Sequence, residues 1–328
     1  MVSIKDVAAR AGVAISTVSK VLNGYPNVSE KTRSRVQKAI DELHYVPNAI
    51  ASALSSKNTA RIALIINSLE HSQSIDEIDM HYLSGAIEEA KKRDIELRTY
   101  FYSMIEDMSA EDIARDFEAQ RIGAFIVYGY NKNDTVLQIL HSMHRFKSVL
   151  VDTPIYDKDT SSIWIDQAQA QYDVAEAAFS SVKGKRLLYL AGKRNGFVTG
   201  ERLKGIKKFA KDRKLELTVC YGDFSEAKAR AAVLKNGKES DMIACASDLM
   251  AVGAVYALAD MKIKKPVCGF DGIGLLSYTP QRMMTVIQDF AGISAKAVDA
   301  AAALLDGEEG RNIVTGYTIG VREYSDVL

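Results

Sequence analysis

The sequence predicts a small all-α headpiece followed by an α/β body of two doubly wound, parallel-sheet subdomains. Three observations carry this prediction. Apolar residues recur at three- and four-residue intervals through the first forty-odd positions. From Arg61 onward, short apolar runs alternate with amphipathic stretches of helical length, about twice the number that one doubly wound unit needs. The chain is also 328 residues long, too long for one small module.

In the headpiece, Ser3 can cap a helix from Ile4 to about Ala11, with Asp6 three residues on in a capping-box arrangement. Gly12 permits the left-handed turn that ends it. A second helix runs from about Ile15 to Leu22 and is stopped by Asn23-Gly24-Tyr25-Pro26. Ser29 then caps a third, from Glu30 to about Leu43. Val7, Ala8, Ala11, Val18, Val21, Leu22, Val36, Ile40 and Leu43 can close one small core between them. The second helix leaves Ile15, Ser16, Thr17, Ser19 and Lys20 outward, and their hydroxyls and ammonium can bond phosphates or base edges in a DNA major groove. Residues 1–58 hold eight Lys/Arg against four acids, a net +4, so the rest of this neutral chain carries −4. A solvated three-helix bundle would fit these features equally well.

The next segment shifts that balance. His44-Tyr45-Val46-Pro47-Asn48 breaks the helical pattern, and Ala49 to Ser56 is only about two turns long, marginal as an isolated helix. Leu54 has no evident core to join. A small-residue helix with one apolar wedge suits a DNA minor groove, and an ordinary linker is the plainer alternative.

In the body the expected strands are Ile62–Asn67, Leu97–Tyr102, Ala124–Tyr128, Ser148–Val151, Arg186–Leu190, Leu217–Tyr221, Met242–Ala246 and Val267–Phe270. The expected helices are Ile78–Arg93, Glu111–Gln120, Thr135–Arg145, Gln169–Val182, Gly200–Lys211, Ala227–Leu234 and Asp248–Met261. A second subdomain should begin near Thr160. Ligands of open parallel sheets sit beyond the carboxyl ends of the strands. Polar residues just after strands are therefore the candidates: Asn67, Tyr128, Asp152, Ser247, Asp248 and Asp271, with Phe224 nearby and Arg202 at the start of a helix. An Arg facing a carboxylate can hold hydroxyl pairs of a sugar, and Phe197, Phe224 or Trp164 could stack on its apolar face. An Asp after a strand is also an ordinary helix cap, which suits Asp248 in particular.

Ile4-Lys5-Asp6-Val7-Ala8, Ser16-Thr17-Val18-Ser19, Val28-Ser29-x-Lys31-Thr32-Arg33 and Tyr45-Val46-Pro47-Asn48 resemble, in unbroken order, the headpiece of the LacI/GalR family of bacterial repressors. The resemblance implies that Ile15, Ser16 and Lys20 read bases and that Thr17, Asn23 and Thr32 contact phosphates. It places Leu54 at the intercalating hinge position. It also implies a body of periplasmic-binding-protein type, crossed three times by the chain. The implied domains are a headpiece at 1–46, a hinge at 47–59, a first subdomain at 60–158 with 289–316, and a second at 159–288 with 317–328. Arg202-Leu203-x-Gly205, Ala246-Ser247-Asp248-x-Met250-Ala251-x-Gly253-Ala254 and Gly269-Phe270-Asp271 are similar to the family's effector-binding stretches. By that comparison the effector residues are Arg202 and Asp271 first, Ser247 and Phe224 next, then Asn67 and Asp152. Phe197-Val198-Thr199 ahead of Arg202 resembles maltose-type regulators of Gram-positive bacteria.

The implied function is a cytoplasmic, homodimeric repressor that binds double-stranded operator DNA and is released by a sugar. A purine or other co-repressor is the alternative ligand. A sugar-transport binding protein would need a secretion signal, which is not seen. An enzyme would need a catalytic motif. No phosphate loop, dinucleotide fingerprint, His-Glu-x-x-His, Cys-x-x-Cys or Gly-x-Ser-x-Gly occurs. No cofactor, metal or membrane span is expected, and Cys220, Cys245 and Cys268 read as buried thiols.

Overall fold

The computed structural model describes residues 4–22, 28–43, 60–66, 73–132 and 134–322. The chain divides into a unit ending at Thr59 and a larger one beginning at Ala60. Asn23, Leu54, Asn67 and the hinge segment 47–59 lie outside the described residues.

The headpiece comprises α1 (Ile4–Ala11), α2 (Ile15–Leu22) and α3 (Glu30–Glu42). Val7, Ala8, Ala11, Val18, Val21, Val36 and Ala39 form its buried core. Gly12 has φ +61°, so the turn between α1 and α2 uses the left-handed region that a Cβ disfavours. Arg35 of α3 closes that turn by donating to the carbonyls of Ala11 and Gly12, the latter at 3.1 Å. The amide of Thr32 donates to Ser29 Oγ at 3.4 Å, a loose cap on α3.

The body holds two six-stranded sheets. The first contains β1 (Arg61–Ile66), β2 (Glu96–Phe101), β3 (Ala124–Tyr128), β4 (Lys147–Val151), β5 (Thr160–Ile165) and β11 (Asn312–Thr315), in spatial order β2-β1-β3-β4-β5-β11, every pair parallel. The second contains β6 (Arg186–Ala191), β7 (Glu216–Tyr221), β8 (Met242–Cys245), β9 (Val267–Cys268), β10 (Met284–Gln288) and β12 (Tyr317–Val321), in order β7-β6-β8-β9-β10-β12. Its edge pair β10–β12 is antiparallel. Its other pairs are parallel, so both sheets are parallel-dominated, as the sequence predicts. Only Gly316 separates β11 in the first sheet from β12 in the second.

The helices are α4 (Gln73–Arg93), α5 (Ala110–Gln120), α6 (Thr135–Ser142), α7 (Gln167–Phe179), α8 (Phe197–Asp212), α9 (Glu226–Asn236), α10 (Asp248–Asp260) and α11 (Phe290–Leu305). On β1, Ile62, Leu64 and Ile66 join one core cluster, while Ala63 and Ile65 join another. Burial on both faces is why such strands read as continuous apolar runs. Side-chain caps fix several helix starts: Ser109 makes a reciprocal capping box with Asp112, and Asp134, Asp166, Ser225, Ser247 and Asp289 each accept a first-turn amide.

The chain crosses between lobes after β5, after β10 and at Gly316. The expected boundary at 158/159 needs correction, because β5 pairs with β4 and β11. The first lobe therefore continues through Ile165. β5 hides its polar start by bonding it: Ser162 Oγ donates to the Thr153 carbonyl, Ser161 Oγ accepts from the Arg311 amide, and Thr160 Oγ1 meets Ser148 Oγ.

Candidate functional site

Two surfaces carry the candidate chemistry. On α2, Ile15 is 45% exposed, Ser16 and Lys20 are exposed, and Thr17 is half-buried. Val18 and Val21 anchor the opposite side of the same helix in the core. No acid stands in the first turn of α2, so its amide-rich end stays favourable to phosphate. Thr32 is half-buried and its hydroxyl meets Ser29 Oγ at 2.9 Å.

The second surface is a cleft between the two lobes of the body, of about 230 Å³. This is below the ~300–1,000 Å³ of typical ligand sites, and suits a small ligand. Asp152, Arg202, Phe224, Ser247 and Asp271 all line it, as does Phe197. Asn67 lies outside the described residues. Three other candidates lie elsewhere. Tyr128 is buried, its hydroxyl meeting Ser294 Oγ at 2.6 Å. Trp164 donates from Nε1 to Asn312 on the neighbouring strand. Asp248 is fully buried and accepts from the amides of Gly272 and Ile273 and from the Thr285 hydroxyl, so it clamps the loop after β9. Burial lifts its carboxyl to about 6.

Arg202 is the hub of the cleft. It is 4% exposed and lies 3.6 Å from the centroid of Phe270. Nε donates to Gln167 Oε1 at 2.8 Å, and Nη1 donates to the Ala246 carbonyl and, at 3.3 Å, to Asp271 Oδ1. Gln167 passes the network on to Asp152 Oδ1 at 2.9 Å, and the Tyr82 hydroxyl donates to Asp152 Oδ2 at 3.3 Å. Gln288 Nε2 donates to Asp271 Oδ1 at 3.2 Å, while its Oε1 is buried without a partner among the described residues. Burial raises both cleft carboxyls and Arg202 opposes the rise; Asp271, with Asp248 and Asp152 nearby, reaches about 7. Desolvation, then the Asp152 charge, raises Tyr82 well above its ordinary value.

Backbone strain marks the same place. Asp152, Asp223, Phe224 and Asp271 all have positive φ. The Phe224 ring packs on Gly192, where an added Cβ would fall 2.0 Å from Cζ. Ser247 caps α10, its Oγ accepting from the Met250 amide at 3.3 Å. At the lip, Asn131 bridges Gly196, the Lys132 amide donates to the Asn195 carbonyl at 3.2 Å, and Tyr130 stacks on Phe197 at 6.0 Å. The lobes thus touch across the opening.

Tyr82, Tyr130, Gln167, Lys193 and Gln288 were not among the sequence candidates. Gln288 ends β10 and would have been found had that strand been recognised. Gln167 likewise lies two residues past β5, another strand absent from the expectation; Tyr130 and Lys193 lie two residues past β3 and β6, and Tyr82 sits within α4.

Residues 3–48 match the family described as bacterial regulatory proteins, lacI family. Residues 59–274 match the periplasmic binding proteins and sugar binding domain of the LacI family. The chain is similar to the HTH-type transcriptional regulator AscG of Escherichia coli (strain K12), 27% identical over 318 residues, covering 94% of this chain and 93% of that one. It is similar in fold to a transcriptional regulator CelR–cellobiose complex (24% identity, TM-score 0.71, 98% of this chain and 99% of that one). It is likewise similar to the Lac repressor dimer bound to operator and the anti-inducer ONPF (22% identity, TM-score 0.71, 98% of each chain). No helix among the described residues is long and apolar enough to cross a membrane. With the second of these matches alone spanning more than half of it, the chain belongs to the LacI family, whose members are DNA-binding transcriptional regulators and not enzymes.

Proposed function

We propose that this regulator represses carbohydrate-utilisation genes as a homodimer on a pseudo-palindromic operator, and leaves it when a small sugar fills the cleft. The carrying observation is the Arg202 hub, with a buried guanidinium, two carboxyls and two amides in fixed geometry around a small space. Such a set matches the paired donors and acceptors of sugar hydroxyls, and Phe224 offers an apolar face. That CelR was solved with cellobiose and the Lac repressor with operator is consistent with this reading.

Ile15, Ser16 and Lys20 would read base edges, and Thr17, Asn23 and Thr32 would contact phosphates. Residues 47–59 would form the hinge, with Leu54 as the minor-groove wedge. Dimerisation is supported by α4, where Met80 is 62% and Ile87 58% exposed two turns apart on one face. The near-parallel Tyr130–Phe197 pair favours, as a second reading, a planar purine acting as co-repressor.

The test is calorimetry of the full chain against neutral sugars, phosphorylated sugars and purines, with DNA selected from a random pool for the binding assay. A sugar that binds wild type but not Arg202→Ala, and lowers DNA affinity, supports the proposal. A ligand that raises DNA affinity favours the co-repressor reading. Absence of salt-dependent, sequence-selective DNA binding would overturn the operator assignment.

A further inference from the structure

One end of the cleft is built from donors. The N-cap of α8 is Gly196, which offers its first turn no side chain, and no acid stands in that turn. The amides of Val198 and Thr199 fall where a helix has no internal acceptors, and neither is taken up by another group among the described residues, while the Phe197 amide faces the first lobe in the Asn131–Gly196 bridge. The Thr199 hydroxyl faces this turn: its Oγ1 lies 3.0 Å from where a Cβ on Gly196 would sit. Thr199 is 2% exposed, and that oxygen has no hydrogen-bond partner among the described residues.

Cations surround the same end. Lys193 lines the cleft, half-buried, and its ammonium has no carboxylate or hydrogen-bond partner among the described residues. Lys132 lies over the Phe197 ring at 5.0 Å and Arg194 over the Tyr221 ring at 3.8 Å. The neighbouring carboxylate, Asp223, is already held by Lys228 at 2.8 Å.

We propose that this end of the cleft holds the phosphate of a phosphorylated sugar, bound by the Lys193 ammonium, the first-turn amides of α8 and the Thr199 hydroxyl. The Arg202–Asp271 end then takes the sugar hydroxyls. A phosphate monoester offers three acceptor oxygens to this donor set, whereas a carboxylate offers two. A neutral sugar leaves both Lys193 and the positive end of a 16-residue helix without a counter-charge. The inference rests on the reading of the cleft as the effector site, and the experiment separates the two.

The probes are inorganic phosphate, glucose, glucose 6-phosphate and glucuronate, titrated into the full chain by calorimetry, with phosphorus NMR line-broadening for the phosphates. Inorganic phosphate should bind saturably. Lys193→Gln should weaken it by about 10-fold and Thr199→Val by several-fold, as expected for lost charge-assisted hydrogen bonds, while Lys207→Gln on exposed α8 surface leaves it unchanged. Glucose 6-phosphate should bind at least about 10-fold more tightly than glucose. Equal phosphate binding by wild type and Lys193→Gln, or none by either, overturns the proposal. So does glucuronate matching glucose 6-phosphate. Lys193-dependent phosphate binding with no response to any sugar retains this anion site and removes the sugar reading. Sugar binding that needs Arg202 but ignores phosphate does the reverse.

Discussion

Replacing Asp271 by Asn should make the protein's stability less sensitive to pH, in a direction the hydrogen bonds fix. Arg202 Nη1 and Gln288 Nε2 both donate to Oδ1, so an Asn carbonyl in that position keeps both bonds. When Asp271 is protonated, its proton belongs on the other oxygen, where the Asn amide would stand. Asn is therefore a close mimic of the protonated acid. Burial lifts the folded-state value to about 7, against ~3.9 for an unfolded Asp. The folded state then binds the proton more tightly. Its contribution is intact at low pH and is lost as pH rises from about 4 to about 7. At pH 5 the variant and wild type should differ by less than ~1 kcal/mol. Between pH 5 and pH 8 wild type should lose about 2–3 kcal/mol relative to the variant, at ~1.4 kcal/mol per unit up to pH 7. The assay is guanidinium unfolding followed by Trp164, the single tryptophan, which sits on β5 of the body. A difference between variant and wild type that stays constant from pH 5 to pH 8 would refute the reasoning.

Three further outcomes are expected. Gly192→Ala should push the Phe224 ring off its seat and weaken effector binding by at least about 10-fold in calorimetry, because the new methyl has no room to stay. Ile87→Glu should shift the full chain toward monomer in analytical ultracentrifugation and reduce DNA affinity, with ligand affinity retained. Leu54→Ala should cost operator binding about 1–3 kcal/mol and reduce DNA bending in a gel assay, while calorimetry of the effector stays unchanged.

The headpiece was legible because its helices are short, capped and amphipathic. Gly12 supplies the turn, and Val7 with Ala11, Val18 with Val21 and Val36 with Ala39 recur at helical spacing. The strands buried on both faces, β1, β3, β6 and β8, were legible for a related reason: nothing polar interrupts them. β5 and β10 were missed because their polar residues are paid for by hydrogen bonds that no local pattern announces. Thr160, Ser161 and Ser162 bond to partners 9 to 150 residues away, and Thr285 bonds to Asp248. α8 was expected from Gly200 and begins at Phe197, so the Phe197-Val198-Thr199 stretch is its first turn and not a loop. In the cleft, residues directly after strands were readable, as Asp152 and Asp271 are. Gln167 and Tyr82 act through side-chain bonds to Asp152 across 15 and 70 residues, which sequence spacing cannot supply.

The placement of Gln288 ties ligand contact to the motion a switch requires. It ends β10, the strand from which the chain leaves the second lobe, and Phe290 two residues later begins α11, which packs on α4 of the first. Both side chains line the cleft. The one connecting residue, Asp289, caps α11 by accepting the Gly292 amide at 2.8 Å, so the crossing is stiff on its first-lobe side. A ligand hydroxyl that satisfies the orphaned Gln288 Oε1 would therefore pull on the crossing itself and not on a distant wall. Closing the cleft around such a ligand and reorienting the lobes are then one event, with a coupling of about 1–3 kcal/mol as its ordinary scale. Gln288→Glu checks this. It keeps the size and one acceptor, but loses the donor to Asp271 and sets two carboxyls against each other. Effector affinity should fall and the lobes should open, with a larger radius of gyration in X-ray scattering. An unchanged radius together with full affinity would show that the crossing does not sense the ligand.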